Sequence, residues 1–132
     1  MVDTKKYNEW FGMALKDLNG AKILFEHDAD FGLVCFHCQQ VIEKYFKGYL
    51  IFKTGRLYEG HSLIKLCKFA MEHESGFGQF LKDCSFVNSF YIETRYPAED
   101  PIYVSKEDTV ECIRIAEDII AYVNGLLYNN NR

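Results

Sequence analysis

Residues 31–53 read FGLVCFHCQQVIEKYFKGYLIFK, and this stretch decides the fold. When it is plotted at about 100° per residue, its apolar side chains fill roughly half of a helix circumference. These are Val34, Cys35, Cys38, Val41, Ile42, Tyr45, Phe46, Tyr49, Leu50 and Phe52, while Gln40, Glu43, Lys44 and Lys47 hold the other half. A surface helix carries an apolar stripe of about 100°. The wider arc predicts a helix that touches two neighbours in a bundle or adds a contact to a second subunit.

The same helical period runs through most of the chain, and no stretch alternates as a strand does. The pattern predicts helices over residues 4–28, 30–53, 62–73, 78–94 and 105–127. The first carries one stripe of apolar residues at steps of four and three: Tyr7, Phe11, Ala14, Leu18, Ala21 and Phe25. Gly55 is placed to end the second helix, and Ser105 with Asp108 forms a capping box that opens the last. We expect an all-α fold, an up-and-down four-helix bundle with an additional short helix.

The length and composition are those of one globular domain. The chain has 132 residues, 48% hydrophobic and 26% charged, with two prolines, which excludes the disordered and collagen-like classes. It holds no internal repeat and no linker, so we expect a single domain over residues 1–128 and a frayed polar tail over residues 129–132. Aromatic residues make up 16% of the chain, enough to suggest a contact surface as well as a core.

The cysteines favour a reducing compartment. There are five, an odd number without regular spacing, so a disulfide framework is not expected and the cytoplasm is the natural location. Cys35 and Cys38 have the CxxC spacing but no second pair to complete a metal site. Neither glycine-rich phosphate loop, GxGxxG nor GxxxxGK, occurs. We therefore expect no metal and no cofactor, and we find neither a secretion signal nor a membrane span in the sequence.

Charge is distributed unevenly. The net charge of −4 gives no overall attraction to nucleic acid. Residues 43–68, however, hold six bases against two acids: Lys44, Lys47, Lys53, Arg56, Lys65 and Lys68 against Glu43 and Glu59. Residues 93–118 hold eight acids against three bases. The basic segment is where a phosphate would be drawn, although solvated helix faces also produce such runs.

A polar seam precedes the last helix. Asn88, Tyr91 and Arg95 stand at i, i+3 and i+7 on one face of the predicted fourth helix, and the loop TRYPAEDP follows over residues 94–101. Arg95 could fork to a phosphate while Tyr96 stacks on a base. Alternatively, Arg95 caps the end of the helix or pairs with Glu99 or Asp100, and Tyr96 packs in the turn.

Three segments together resemble the HEPN family, the higher eukaryote and prokaryote nucleotide-binding domain. They are QQVIEKYFKGYL at 39–50, GHSL at 60–63 and YIETRYP at 91–97. The resemblance implies a helical bundle, usually a homodimer with a cleft near the subunit contact. Many small members are encoded beside a minimal nucleotidyltransferase and form toxin–antitoxin pairs with it. Some are ribonucleases whose motif is an arginine followed, after roughly four to six residues, by a histidine.

The ribonuclease motif is missing where the family places it, because no histidine follows Arg95 in that window. Our leading hypothesis is therefore a non-catalytic or weakly active homodimer that binds a nucleotide or RNA and acts with a minimal nucleotidyltransferase as its partner. Arg95 would contact phosphate and Tyr96 or Tyr91 would stack. Asn88 would donate a hydrogen bond, and the secondary contacts would be Lys44, Lys47 and His61.

Two alternatives belong to other functional classes. Arg56 and His61 match the ribonuclease spacing, although they lie before the short third helix, so a metal-independent ribonuclease is the first. A pure protein-interaction module with no small ligand is the second.

Overall fold

The computed structural model describes residues 4–93 and 103–129, with side chains over 6–91 and 103–128. The helices are α1 (Thr4–Glu26), α2 (Phe31–Thr54), α3 (Leu63–Met71), α4 (Leu81–Asn88), α5 (Phe90–Glu93) and α6 (Lys106–Asn129), and a 3₁₀ helix spans Ser75–Phe80 before α4. Over these two ranges there is no strand, and the all-α bundle is confirmed. The tail residues 130–132 lie outside the described residues.

Helix α2 is the centre of the bundle. Sixteen of its 24 residues are buried, and it packs against α1, α3, α4, α5 and α6. Neighbours within the chain therefore account for the width of its apolar arc. The predicted stripe of α1 faces this helix: Phe11, Ala14 and Ala21 are buried in the common core, and the other members pack against it.

Several helix ends follow from local chemistry. The Asp30 carboxylate accepts from the backbone N–H of Leu33 at 3.0 Å and starts α2. Gly55 ends α2 with a left-handed φ of 73°. At α6 the capping box is present: the Asp108 N–H donates to Ser105 Oγ at 3.0 Å, and the Ser105 N–H donates to Asp108 Oδ2 at 3.2 Å. Such helix ends can be predicted from the sequence, because the capping residue and its hydrogen-bond partner lie within a few residues of each other.

The fourth helix differs from the sequence prediction, which made it continuous over 78–94. It begins instead as the 3₁₀ helix, and a break at Ser89 separates α4 from α5. The 3₁₀ segment inserts Phe77 into the core against the rings of Tyr49, at 4.8 Å, and Tyr122, at 5.0 Å. Gly76 is required there because a Cβ would collide with the Tyr122 hydroxyl. At the break, Ser89 Oγ donates to the Phe86 carbonyl at 2.7 Å, an alternative to the regular helical pattern.

All five cysteines are buried free thiols and pack as small core residues. Burial raises the pKa of the Cys38 thiol well above its ordinary range. In the ranges 4–93 and 103–129, no three His, Cys, Asp or Glu side chains group as metal ligands would. None of the helices in those ranges combines the length and hydrophobicity needed to cross a bilayer.

The contact between α1 and α2 depends on Gly48. A Cβ at this position would lie 2.6 Å from Phe11 Cε1, and the Phe11 ring is held by Tyr45 at 4.5 Å and Tyr7 at 5.8 Å. We expect Gly48→Ala to lower the free energy of unfolding by about 1–3 kcal/mol, the usual cost of overpacking a core. The measurement is urea unfolding followed by circular dichroism.

Gly12→Ala is the matched control for this prediction. Gly12 is also helical, but a Cβ there meets no atom within 4 Å. Alanine should therefore raise stability, by up to about 1 kcal/mol, through helix propensity alone. If both variants were stabilised alike, the close approach at Gly48 would not constrain the fold.

Candidate functional site

A row of polar residues on α2 is buried rather than solvated. Gln39, Glu43 and Lys47 follow one another at steps of four, and their exposed fractions are 0%, 4% and 6%. Lys47 Nζ donates to Glu43 Oε2 at 2.9 Å, and Gln39 Nε2 donates to Glu43 Oε1 at 3.2 Å. The central helix thus carries an ion pair with a hydrogen-bonded amide beside it.

His61 closes this row from the loop that precedes α3. Its Nδ1 lies 3.1 Å from Glu43 Oε1 and 3.2 Å from Oε2, and its carbonyl oxygen accepts from Gln39 Nε2 at 3.0 Å. Gly60, with φ of 99°, supplies the left-handed conformation that leads into it. Because the carboxylate accepts from Nδ1–H, the other ring nitrogen, Nε2, accepts a proton in the neutral ring and donates one in the charged ring.

The histidine is accessible although the carboxylate that holds it is not. The His61 side chain is 58% exposed, against 5% for Glu43. A buried carboxylate that orients an exposed imidazole is an arrangement that can bind an anion or transfer a proton. Lys47 neutralises Glu43, so the carboxylate adds no net negative charge behind the ring.

Aromatic rings border the histidine on one side. The Tyr91 ring, on α5, lies 5.3 Å from the His61 ring and is stacked on Phe36 at 5.8 Å with an interplanar angle of 23°. The break at Ser89 separates the helix that carries Tyr91 from α4. We call Gln39, Glu43, Lys47, His61 and Tyr91 the Glu43 cluster.

Helix α1 covers the other side of the row. Lys47 Nζ lies 5.7 Å from the centre of the Trp10 ring, a cation–π contact. One turn earlier, Lys44 pairs with Asp17 of α1, and His37 Nδ1 lies 3.6 Å from the same carboxylate. Gln40 Nε2 donates to Gln39 Oε1 at 2.7 Å and so adds a further hydrogen bond to the row.

The structure brings together three of the predicted site residues, Lys47, His61 and Tyr91. Lys44 faces Asp17 instead, and Asn88 Oδ1 accepts from the backbone N–H of Leu63 at 3.0 Å, at the start of α3. Arg95 and Tyr96 lie outside the described residues. The guanidinium of Arg56, the proposed partner of His61 in the ribonuclease alternative, lies over the Tyr58 ring at 5.6 Å.

Sequence reasoning missed Gln39 and Glu43. It placed Glu43 on the solvated half of α2 and gave Gln39 no role. The available signal was their spacing: Gln39, Glu43 and Lys47 stand one turn apart, where an acid four residues before a base pairs with it. The spacing predicts the ion pair but not its burial, which depends on the cover that Trp10 and His61 provide.

Comparison with known proteins places the chain in a family. The HEPN domain family model matches residues 7–126. This chain belongs to the HEPN family. A search of curated proteins finds no match.

Two solved structures share this fold. TT1696 from Thermus thermophilus has a TM-score of 0.81 at 24% sequence identity, covering 90% of this chain and 96% of that one. ST0689, an archaeal HEPN homologue, has a TM-score of 0.73 at 28% identity, covering 91% of this chain and 96% of that one. Both solved structures share the bundle over about nine-tenths of this chain. Membership of the HEPN family makes this a nucleotide- or RNA-related protein.

The buried ion pair of the Glu43 cluster can be tested by coupling. Glu43→Gln should lower the free energy of unfolding by about 3–5 kcal/mol, because it leaves the Lys47 charge buried without its partner. Glu43→Gln combined with Lys47→Met should cost clearly less than the sum of the single substitutions. A thermodynamic cycle measured by urea unfolding gives the coupling.

The exposed pair between Lys22 and Glu117 is the control. Its atoms are 2.6 Å apart, but the side chains are 43% and 46% exposed, so Glu117→Gln should cost no more than about 1 kcal/mol. Additive effects at Glu43 and Lys47 would contradict a coupled buried pair.

Proposed function

We propose that this HEPN protein binds a nucleotide or the phosphate backbone of RNA at the Glu43 cluster, with His61 as the central contact. The observation that carries the proposal is an exposed imidazole fixed by a buried carboxylate whose charge Lys47 already balances. A phosphate oxygen would accept from Nε2–H of the protonated ring, a charge-assisted hydrogen bond. Tyr91 would offer its ring to a base.

Arg95 and Tyr96 complete the proposed site. Arg95 follows Tyr91 by four residues in the sequence. Its guanidinium can bind a phosphate through two hydrogen bonds. Tyr96 is a second candidate for base stacking. The two remaining predicted contacts would act indirectly. The positive charge of Lys44 would add to the electrostatic attraction of phosphate, and Asn88 would hold the start of α3 in place.

The biological setting we propose follows the family. Two copies would associate, and a minimal nucleotidyltransferase would be the partner in a toxin–antitoxin type system. Five free thiols suit the reducing cytoplasm.

The binding proposal is tested by titrating ATP, GTP and a short RNA in a calorimeter. His61→Ala should weaken binding about 10- to 100-fold, as expected for losing one hydrogen bond to a charged group, and Arg95→Ala should abolish it. His73→Ala, an exposed histidine just past the end of α3, is the matched control and should bind as wild type does. Unchanged affinity of His61→Ala would remove the Glu43 cluster from the site.

A second candidate function is metal-independent RNA cleavage, and the orientation of His61 by Glu43 favours it. Nε2 would take the proton from a ribose 2′-hydroxyl, the 2′-oxygen would attack the adjacent phosphorus, and the 5′-oxygen would leave with a proton taken from solvent. The products would be a 2′,3′-cyclic phosphate and a 5′-hydroxyl end. Glu43 would hold the ring in place through Nδ1–H.

Cleavage is tested with labelled RNA in the presence of a chelator. Product ends of this kind, lost in His61→Ala and retained in His73→Ala, would establish the activity. Glu43→Gln should lower the rate and leave part of the RNA affinity intact. Intact RNA after prolonged incubation with wild-type protein would leave binding as the function.

A further inference from the structure

A second surface feature lies just before His61 in the chain. The Tyr58 and Phe69 rings, 4.9 Å apart with an interplanar angle of 53°, meet between the α2–α3 loop and α3. They line a depression of about 500 Å³ together with Arg56, Leu57, Glu59 and Glu72. This size is in the range of small-ligand sites.

Phe69 and Leu57 lie outside the core. Helix α3 turns Leu63, Leu66, Cys67 and Ala70 inward, so Phe69 is on its outer face and remains 37% exposed, and Leu57 beside it is 45% exposed. Tyr58 is half-buried and packs against the core, and the Arg56 guanidinium lies over its ring at 5.6 Å. Accessible aromatic rings with an arginine beside them are the usual elements of a platform for nucleobases.

The charges around the rings suit a nucleic acid strand. Lys65 precedes Phe69 by one helical turn and Lys68 is its neighbour, and both are exposed. With Lys53 and Arg56 this makes four cations, against the carboxylates of Glu59 and Glu72 in the depression. Carboxylates repel phosphates but accept hydrogen bonds from the amino groups of bases. The depression therefore fits a base, and the surrounding cations fit the backbone.

The distance to the Glu43 cluster fits a single strand. Tyr58 and His61 are three residues apart, so their Cα atoms are separated by no more than about 11 Å. Stacked nucleotides advance about 3.4 Å each along a strand, so about three nucleotides cover this distance. We expect a mononucleotide, which carries one base and its own phosphate, to bind at the Glu43 cluster alone, and a strand of several nucleotides to reach both places.

We propose that the Tyr58–Phe69 depression is a second, base-stacking subsite, occupied by a nucleobase of single-stranded RNA whose phosphate lies on the Glu43 cluster. The inference rests on the proposed function. It narrows the ligand from any nucleotide to a single-stranded RNA of several nucleotides. Tyr58 and Phe69 act as positioning residues, because they would hold a base while the phosphate lies on the Glu43 cluster.

The test compares two ligands on the same variants. AMP and an unstructured RNA of about eight adenosines are titrated into wild type, Tyr58→Leu and Phe69→Leu by calorimetry and fluorescence anisotropy. Leucine retains apolar volume and removes the π face. We expect each variant to lose about 5- to 100-fold in affinity for the oligonucleotide, the effect of losing one stacked base, and to bind AMP as wild type does. Tyr58→Phe should restore oligonucleotide affinity.

Tyr128→Leu is the matched control, because Tyr128 is 70% exposed at the far end of α6 and should affect neither ligand. Unchanged oligonucleotide affinity in Tyr58→Leu and Phe69→Leu would overturn the subsite, while AMP binding that depends on His61 would still support the proposed function. Wild-type protein that binds neither ligand would overturn both. Unchanged RNA affinity with weakened binding of a partner protein would overturn the subsite and make the depression a protein-docking surface.

Discussion

The ion pair between Glu43 and Lys47 is the constraint on which the rest of the site depends. It lies inside the central helix of the bundle, where both side chains are almost fully buried. Removing two charges from water costs several kcal/mol per ion, and a buried pair often stabilises a protein less than apolar residues of the same volume would. A buried pair is therefore better explained by what it holds in place than by stability alone. Here it holds His61.

The pair also explains why the neighbouring elements take their positions. Burial removes water from the Lys47 ammonium group, and the Trp10 ring offsets part of this loss through a cation–π contact. The carboxylate has oxygen lone pairs to satisfy, and Gln39 and His61 supply the donors. The loop before α3 is fixed because its histidine carbonyl accepts from the same glutamine. One polar row thus fixes the loop and the ring that faces solvent, and α1 supplies the cover over its lysine.

Most of the fold could be predicted from the sequence, since its signals are local or periodic. The apolar arc of α2, the stripe of α1, the cap at Gly55 and the box at Ser105 each act within a few residues. The interrupted fourth helix could not be predicted this way. Its 3₁₀ start brings Phe77 to rings from α2 and α6 and places Gly76 against the Tyr122 hydroxyl, and these partners are distant in the sequence.

The site also has features that the sequence predicts and features that depend on contacts between distant elements. His61, Lys47 and Tyr91 were visible as residue types in a basic and aromatic setting, and the family resemblance selected the segments that carry them. Glu43 looked like one more solvated charge, because helix periodicity shows which face is polar but not whether another element covers it. The role of Arg95 rests on chemistry and chain position alone, since it lies outside the described residues.

The close approach at Gly48 has a consequence for the site as well as for packing. Phe11 sits on Gly48, and the residues that precede them, Trp10 and Lys47, make the cation–π contact that covers the buried lysine from α1. This part of the geometry that protects the ion pair is thus fixed by the contact of the Phe11 ring with the backbone of α2, while His61 covers the carboxylate from the loop. The buried residues beneath His61, namely Glu43 and Lys47, are already fixed before a ligand binds. Binding therefore costs little conformational entropy of the protein. Selection for tighter binding would then act on the residues around His61, because Glu43 and Lys47 can be substituted only if the packing of the bundle changes as well.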